Sequence, residues 1–428
     1  IGTANRFSPL WNVSGKWNLH NESFMENLPI FNQLSLRASY GFTGSIDRNA
    51  LPFSLLIKNY GYNNYSYDGV KLVDEYQAAN PSIKWQRKED RSFGLDLSML
   101  NNRLNVTVNY YNNDTRNLLD TKNVAVSSGV RSIVANVASL RNTGWEFSLR
   151  TLNVKTNDFS WTTSFNFATN KNKVTETFYK DLDEIPVSTN STMESMYSLY
   201  IQGQSVNSYY GFKYAGVDPV TGGALAYIDG YDDEGNRLGS LYKDGRYVIN
   251  MDENYNALEA RTARVYIGES YPPYTGGFST SFTYKRISLS ANFTFMGGHK
   301  LRSFQSYTSN GNVYAAAQNV LSMEANRWRK PGDMTDVPKY ELGRTSYLYD
   351  IYDFRYEDGA YMKCNNVSLG YNLPQNLCTL LHITRARFNF NMSNLFTLTK
   401  YRGIDPENMG AFGYPSAKRY NFSISIGI

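Results

Sequence analysis

The stretch NYGYNNYSYDG gathers Tyr60, Tyr62, Tyr65 and Tyr67 in one short polar segment. Further along, Arg327, Trp328 and Arg329 stand together, and Phe412 and Tyr414 flank a glycine in AFGYP. Flat rings mixed with amide and guanidinium donors suit stacking on sugar rings and hydrogen bonding to peptide backbones. The same rings also suit packing of loops against one another or against a covering protein. Catalytic chemistry has no comparable foothold. The three histidines, His20, His299 and His382, are far apart, and neither an H-E-x-x-H helix nor a Cys/His zinc spacing occurs. P-loop, G-x-G-x-x-G and G-x-S-x-G elements are missing as well. The acidic run DGYDDEGN (229–236) lacks the glycine and distal glutamate of an EF-hand and reads as a solvated loop. No catalytic residue, metal ligand or cofactor is assigned, and the chain is not read as an enzyme.

The elements that would carry these loops are strands. In FSWTTSFNFA, Phe159, Trp161, Thr163, Phe165 and Phe167 alternate with Ser160, Thr162, Ser164, Asn166 and Ala168. Side chains of a strand alternate between its faces, so this strand has a bulky apolar face backed by a small polar one. The pattern recurs at 11–19, 34–40, 93–99, 104–110, 145–149, 278–284, 287–295, 367–371, 386–392 and 420–428. Two weaker segments, near 207–216 and 223–228, bring the count to about thirteen.

Composition leaves two homes for such strands. No apolar run reaches transmembrane-helix length, and mean hydropathy is −0.48, but a membrane barrel gives only a weak signal per strand. Tyr and Phe are abundant, 35 and 23, as interfacial girdles require. The net charge of +5 is scattered, with no basic run of the kind that binds nucleic acid.

Turn lengths favour the barrel. One set of connections is short (101–102, 153–158, 285–286, 373–383). The other is long and rich in Tyr, Asn, Gly and Asp (43–91, 112–142, 169–206, 229–274, 297–359, 394–418). Short turns at one rim and long loops at the other characterise outer-membrane barrels. Arg37, Glu146, Arg150, Arg385 and Arg387 fall on the polar faces and are expected to line a hydrated lumen. Aromatics near strand ends (Trp11, Trp17, Tyr40, Tyr110, Tyr420) suit the membrane–water interfaces. An odd strand count makes the first and last strands run the same way, so antiparallel closure calls for more strands ahead of Ile1. Cys364 and Cys378 are expected to stay unpaired thiols.

Several stretches resemble the C-terminal part of the barrel of SusC/RagA-type TonB-dependent outer-membrane transporters. They include LSLRASYGFTGS (34–45), GLDLSMLNNRLNVTVNYYNNDTRNLL (94–119), LRNTGWEFSL (140–149) and FSWTTSFNFATNKNKV (159–174). GFKYAGVDPVTG (211–222), NRWRKPGDMTDVP (326–338), YEDGAYMKCNNVSLGYNLP (356–374) and SNLFTLTKYRGIDPE (393–407) continue the match in order. The resemblance implies an all-β, antiparallel transmembrane barrel of 22 strands filled by an N-terminal plug, a segment this chain does not contain. It implies uptake of oligosaccharides or oligopeptides, a SusD-like surface lipoprotein over the loops, and energy from the TonB complex through the missing N-terminal region. Inward arginines such as Arg37 and Arg385 are then expected to meet plug carboxylates. Two departures stand out: the chain ends on Ile428 where the family favours an aromatic, and Cys364 replaces a usual aliphatic. The rival readings are a passive outer-membrane pore or surface adhesin, and a soluble β-rich glycan-binding protein.

Overall fold

A computed structural model of the chain describes residues 7–46, 53–58, 66–67, 70–71, 73–77, 79–124, 127, 132–177, 201–228, 241–243, 246–250, 264–302, 325–339, 352–408 and 414–428. Its frame is one antiparallel sheet in which eleven strands pair strictly with their neighbours in chain order. These are β1 (Trp11–Asn18), β2 (Phe31–Ser45), β3 (Gln86–Met99), β4 (Leu104–Asn123), β5 (Ser132–Lys155) and β6 (Phe159–Thr169). After an excursion follow β7 (Tyr274–Tyr284), β8 (Ile287–Gly297), β9 (Tyr361–Asn372), β10 (Arg385–Thr399) and β11 (Arg419–Gly427). A short strand, Lys171–Glu176, adds to the far end of β5. Among the described residues β1 and β11 are the two edges. Eleven antiparallel strands leave them pointing the same way, so the parity expected from sequence holds.

The count does not. The segments near 207–216 and 223–228 are strands, but they stand outside this sheet. Ser208–Phe212 pairs with Arg264–Glu269, and Tyr214–Val217 and Ala224–Tyr227 belong to a separate four-stranded sheet. That small sheet has its own core of Ala215, Leu225 and Val248, so its apolar alternation serves a folded interior. The long connection expected at 112–142 is also corrected. Most of it is ladder, because β4 and β5 pair from Leu104↔Thr151 out to Asn123↔Ser132. The segment is too polar to show a greasy stripe, yet backbone pairing needs no apolar side chain.

Turn asymmetry persists after these changes. Residues 100–103, 156–158, 285–286 and 373–384 link strands at one rim, together with 19–30. At the opposite rim the chain leaves the sheet after Ser45, Asn123, Thr169, Gly297 and Thr399 and re-enters it at Gln86, Ser132, Tyr274, Tyr361 and Arg419. The β3–β4 turn places Leu100, Asn101 and Asn102 at positive φ, which asparagine tolerates well.

Register converts the alternation of each strand into continuous rows. One face carries Trp17↔Leu36↔Leu95↔Val108 and, one step nearer the long connections, Ala38↔Phe93↔Tyr110↔Trp145. Across the middle of the sheet run Leu149↔Phe165↔Phe278↔Phe293, and then Leu369↔Phe390↔Phe422. Phe165 stacks near Phe167 and Phe295 at ring-centroid distances of 6.5 and 6.2 Å. Among the described residues no second protein layer covers these rows: Phe93, Trp145, Phe422 and Ile426 are exposed. A greasy face this wide and unscreened is incompatible with water and fits hydrocarbon.

Candidate functional site

The opposite face is a hydrogen-bonded wall. Arg37 on β2 donates from Nε to Oδ2 of Asp96 at 2.8 Å and from Nη2 to Oδ1 at 3.1 Å. The same Nη2 donates to Asn109 on β4 at 2.9 Å, and Asn109 donates to Glu146 on β5 at 3.3 Å. Four adjacent strands are thereby tied by one polar chain. Gly94 makes room for it, because a Cβ there would stand 2.9 Å from the Arg37 guanidinium carbon. Around these groups a concavity of about 780 Å³ is lined by Lys16, Ser39, Ser92, Tyr111 and Asn113. A second concavity, about 390 Å³, continues the polar surface through Ser164, Asn166, Asn292, Thr294 and Asn365.

All five polar-face residues picked from sequence lie on this wall. Register places Arg150 opposite Asn105 and Ser164. Arg387 donates from Nε to Asn389 at 2.8 Å, and Arg385 sits across from Gly427. Within the wall itself Arg37 already has a carboxylate partner, Asp96. Sequence reading missed Asp96 and Asn109 as site residues. The signal was present, since both alternate with apolar neighbours, but only strand register brings positions 37, 96 and 109 together. Lys363, also missed, is buried on β9 and pairs with Glu407 of the 400–418 connection, which folds that connection onto the polar side.

The loop aromatics fare differently. Tyr60, Tyr62, Tyr65 and Phe412 lie outside the described residues, as does the acidic run 229–236, and Tyr67 is described only as part of a two-residue strand. Tyr414 is fully exposed. Trp328 is an anchor: its indole lies against Gly222, and Nε1 donates to the Pro219 carbonyl at 3.1 Å. Asp218 organises that same corner by accepting from the Val220 amide at 2.9 Å and the Thr221 hydroxyl at 2.7 Å. Arg329 caps its own segment by donating to Ala325 O at 3.0 Å. Elsewhere, burial pushes the Tyr210 hydroxyl up to about 12 and lowers the basicity of His299. Cys364 and Cys378 are both buried free thiols, the first in β9 and the second in the short helix Gln375–Leu380.

No family model matches the chain. Whole-chain likeness is clear all the same. TonB-dependent receptor P3 of Formosa agariphila is 31% identical over 91% of this chain and 37% of its own length. TonB-dependent receptor SusC of Bacteroides thetaiotaomicron is 23% identical over 99% of this chain and 40% of its own. Among solved structures, the RagAB peptide transporter superposes over the whole chain with a TM-score of 0.76 and 27% identity, using 44% of that protein's chain. The chain is a relative of the SusC/RagA-type TonB-dependent receptors. Its eleven-strand antiparallel sheet superposes on part of the RagAB transporter chain, with the apolar rows on one face of that sheet. The chain spans about two fifths of the length of the receptors it matches.

Proposed function

We propose that the chain forms the C-terminal part of the barrel of an outer-membrane importer, TonB-dependent and SusC-like. Its polar wall borders the path taken by an oligosaccharide or oligopeptide. The observation that carries the reading is the two-faced sheet: apolar rows on one side and the Arg37–Asp96–Asn109–Glu146 chain on the other. Strands outside this chain complete the barrel, since β1 and β11 run parallel and an open edge in hydrocarbon leaves backbone groups unpaired. A plug and its TonB-contacting segment lie outside the chain as well. A SusD-like lipoprotein sits over the rim that carries the long connections. The likeness to RagAB, itself a peptide transporter, supports the importer class and makes oligopeptides one of two substrate classes to test.

The test uses the intact protein in its own outer membrane. A tagged copy should bring down a surface lipoprotein in roughly equal amount, and uptake of labelled oligomers should stop when the inner-membrane proton gradient is collapsed. Uptake that ignores the gradient, together with steady ion conduction in planar bilayers, would establish a passive pore instead.

A further inference from the structure

On the apolar face the β2–β5 rows change character toward the long-connection rim. Beyond the aromatic row Ala38↔Phe93↔Tyr110↔Trp145 come Tyr40↔Arg91↔Asn112, then Phe42↔Glu89↔Asp114↔Arg141, then Gly44↔Arg87↔Arg116. At roughly 3.4 Å per residue along strands tilted by about 40°, these rows run from about 5 Å to about 15 Å outside the Ala38–Trp145 row, beyond the hydrocarbon on the long-connection side. Four arginines oppose two carboxylates, so the patch is net cationic. The carboxylates lie underneath, with side chains 13% exposed for Glu89 and 5% for Asp114, whereas those of Arg116 and Arg141 are 62% and 47% exposed. Arg91 bridges the two acids, donating to Glu89 at 2.5 Å and reaching Asp114 at 3.4 Å. Arg87 lies 3.7 Å over the Phe42 ring, and among the described residues its Nε has no hydrogen-bond partner.

Directly below lies an apolar groove of about 870 Å³, lined by Trp17, Leu36, Ala38, Phe93, Val108 and Trp145. It exists because Gly15 faces Ala38, leaving a gap in a row otherwise made of large side chains.

We propose that this face binds one phosphorylated glycolipid of the outer leaflet, its phosphate on Arg116 and Arg141 and an acyl chain in the Gly15–Ala38 groove. Guanidinium groups hold phosphate by charge-assisted, two-pronged hydrogen bonds, and the buried acids hold those groups in a fixed array. Bulk hydrocarbon alone calls for neither a groove nor cations stacked above it. The rim with long connections selects the outer leaflet, so the occupant is that leaflet's phosphorylated glycolipid and not a zwitterionic phospholipid. The inference rests on the membrane-barrel reading.

The intact protein, purified from outer membranes in mild detergent and stripped of lipid, is titrated with defined lipids under native mass spectrometry. Phosphorylated glycolipid should occupy one tight site, and Arg116→Gln with Arg141→Gln should lower its affinity by roughly tenfold or more. Ala38→Phe, which fills the groove and touches no charge, should lower it independently, so the result survives if loss of Arg141 perturbs Asp114. Equal affinity in wild type and both variants, or no preference over dephosphorylated glycolipid and zwitterionic phospholipid, would overturn the site while leaving the barrel intact. A protein that is stable in water without detergent and shows no heat-dependent gel shift would instead sink the barrel reading itself.

Discussion

Arg37 and Asp96 form a two-pronged ion pair between β2 and β3, at 2.8 and 3.1 Å, on the face that turns away from the greasy rows. The pair is partly open to water, with side chains 40% and 21% exposed, so its energy is screened. Its value lies in geometry, because a satisfied guanidinium keeps the wall of the 780 Å³ concavity in one shape.

Asp96→Ala should therefore cost about 1 kcal/mol or less in detergent melting experiments. A double-mutant cycle with Arg37→Ala should return a coupling of about 0.5–1 kcal/mol. Zero coupling would mean that the two side chains do not act together in the folded wall.

Phe165 and Asn166 are chain neighbours on opposite faces of β6. Phe165→Arg should cost about 2–4 kcal/mol, since a charge enters the lipid-facing rows. Asn166→Arg should cost well under about 1 kcal/mol, a typical value for a hydrated surface. The fraction of heat-modifiable folded barrel after refolding into vesicles measures both. Equal tolerance at the two positions would contradict the assignment of faces.

Gly222 has φ +75°, a conformation that side-chain-bearing residues adopt only with strain, and the Trp328 indole occupies the space its Cβ would need. Gly222→Ala should destabilise the corner locally by about 1–3 kcal/mol and shift Trp328 fluorescence toward the solvent-exposed wavelength. Trp328→Phe keeps the ring and loses the bond to Pro219 O, a cost of about 1 kcal/mol. If Trp328 were a ligand-stacking residue instead, its replacement would change substrate affinity and leave the local stability alone.

His299 is buried beside Gly359, and among the described residues neither ring nitrogen has a hydrogen-bond partner. Burial lowers its basicity, while the Asp358 carboxylate pulls weakly the other way. The unfolded chain binds its proton near 6.5, ahead of the fold. Stability from this site is therefore complete above about 6.5 and declines as pH falls from there through the lowered folded value. Hydrogen-exchange protection of 300–302 and 356–358, corrected for intrinsic rates, should weaken between about pH 7.5 and about pH 5.5. His299→Phe should flatten that dependence. Unchanged slopes in the variant would place the titrating group elsewhere.

Period-two alternation is a local property, so the sequence alone was enough to mark β1–β3, β6–β8 and β9–β11, their two-sided character and the short-turn rim. The polarity of Arg37, Glu146, Arg150, Arg385 and Arg387 could be read for the same reason: their faces follow from their neighbours. Segments 207–216 and 223–228 show where this logic stops. An apolar face says that something must cover it, and only the tertiary structure shows Ala215, Leu225 and Val248 covering one another in a small sheet of their own. The length of β4 and β5 was hidden in the opposite way, because backbone hydrogen bonds hold their polar ends and leave no mark in side-chain type. Partnership across strands is equally invisible along the chain. Asp96 meets Arg37, and Asp114 meets Arg141, because register sets residues 59 and 27 positions apart side by side. Residue chemistry decides what each face tolerates, and pairing geometry decides who stands next to whom.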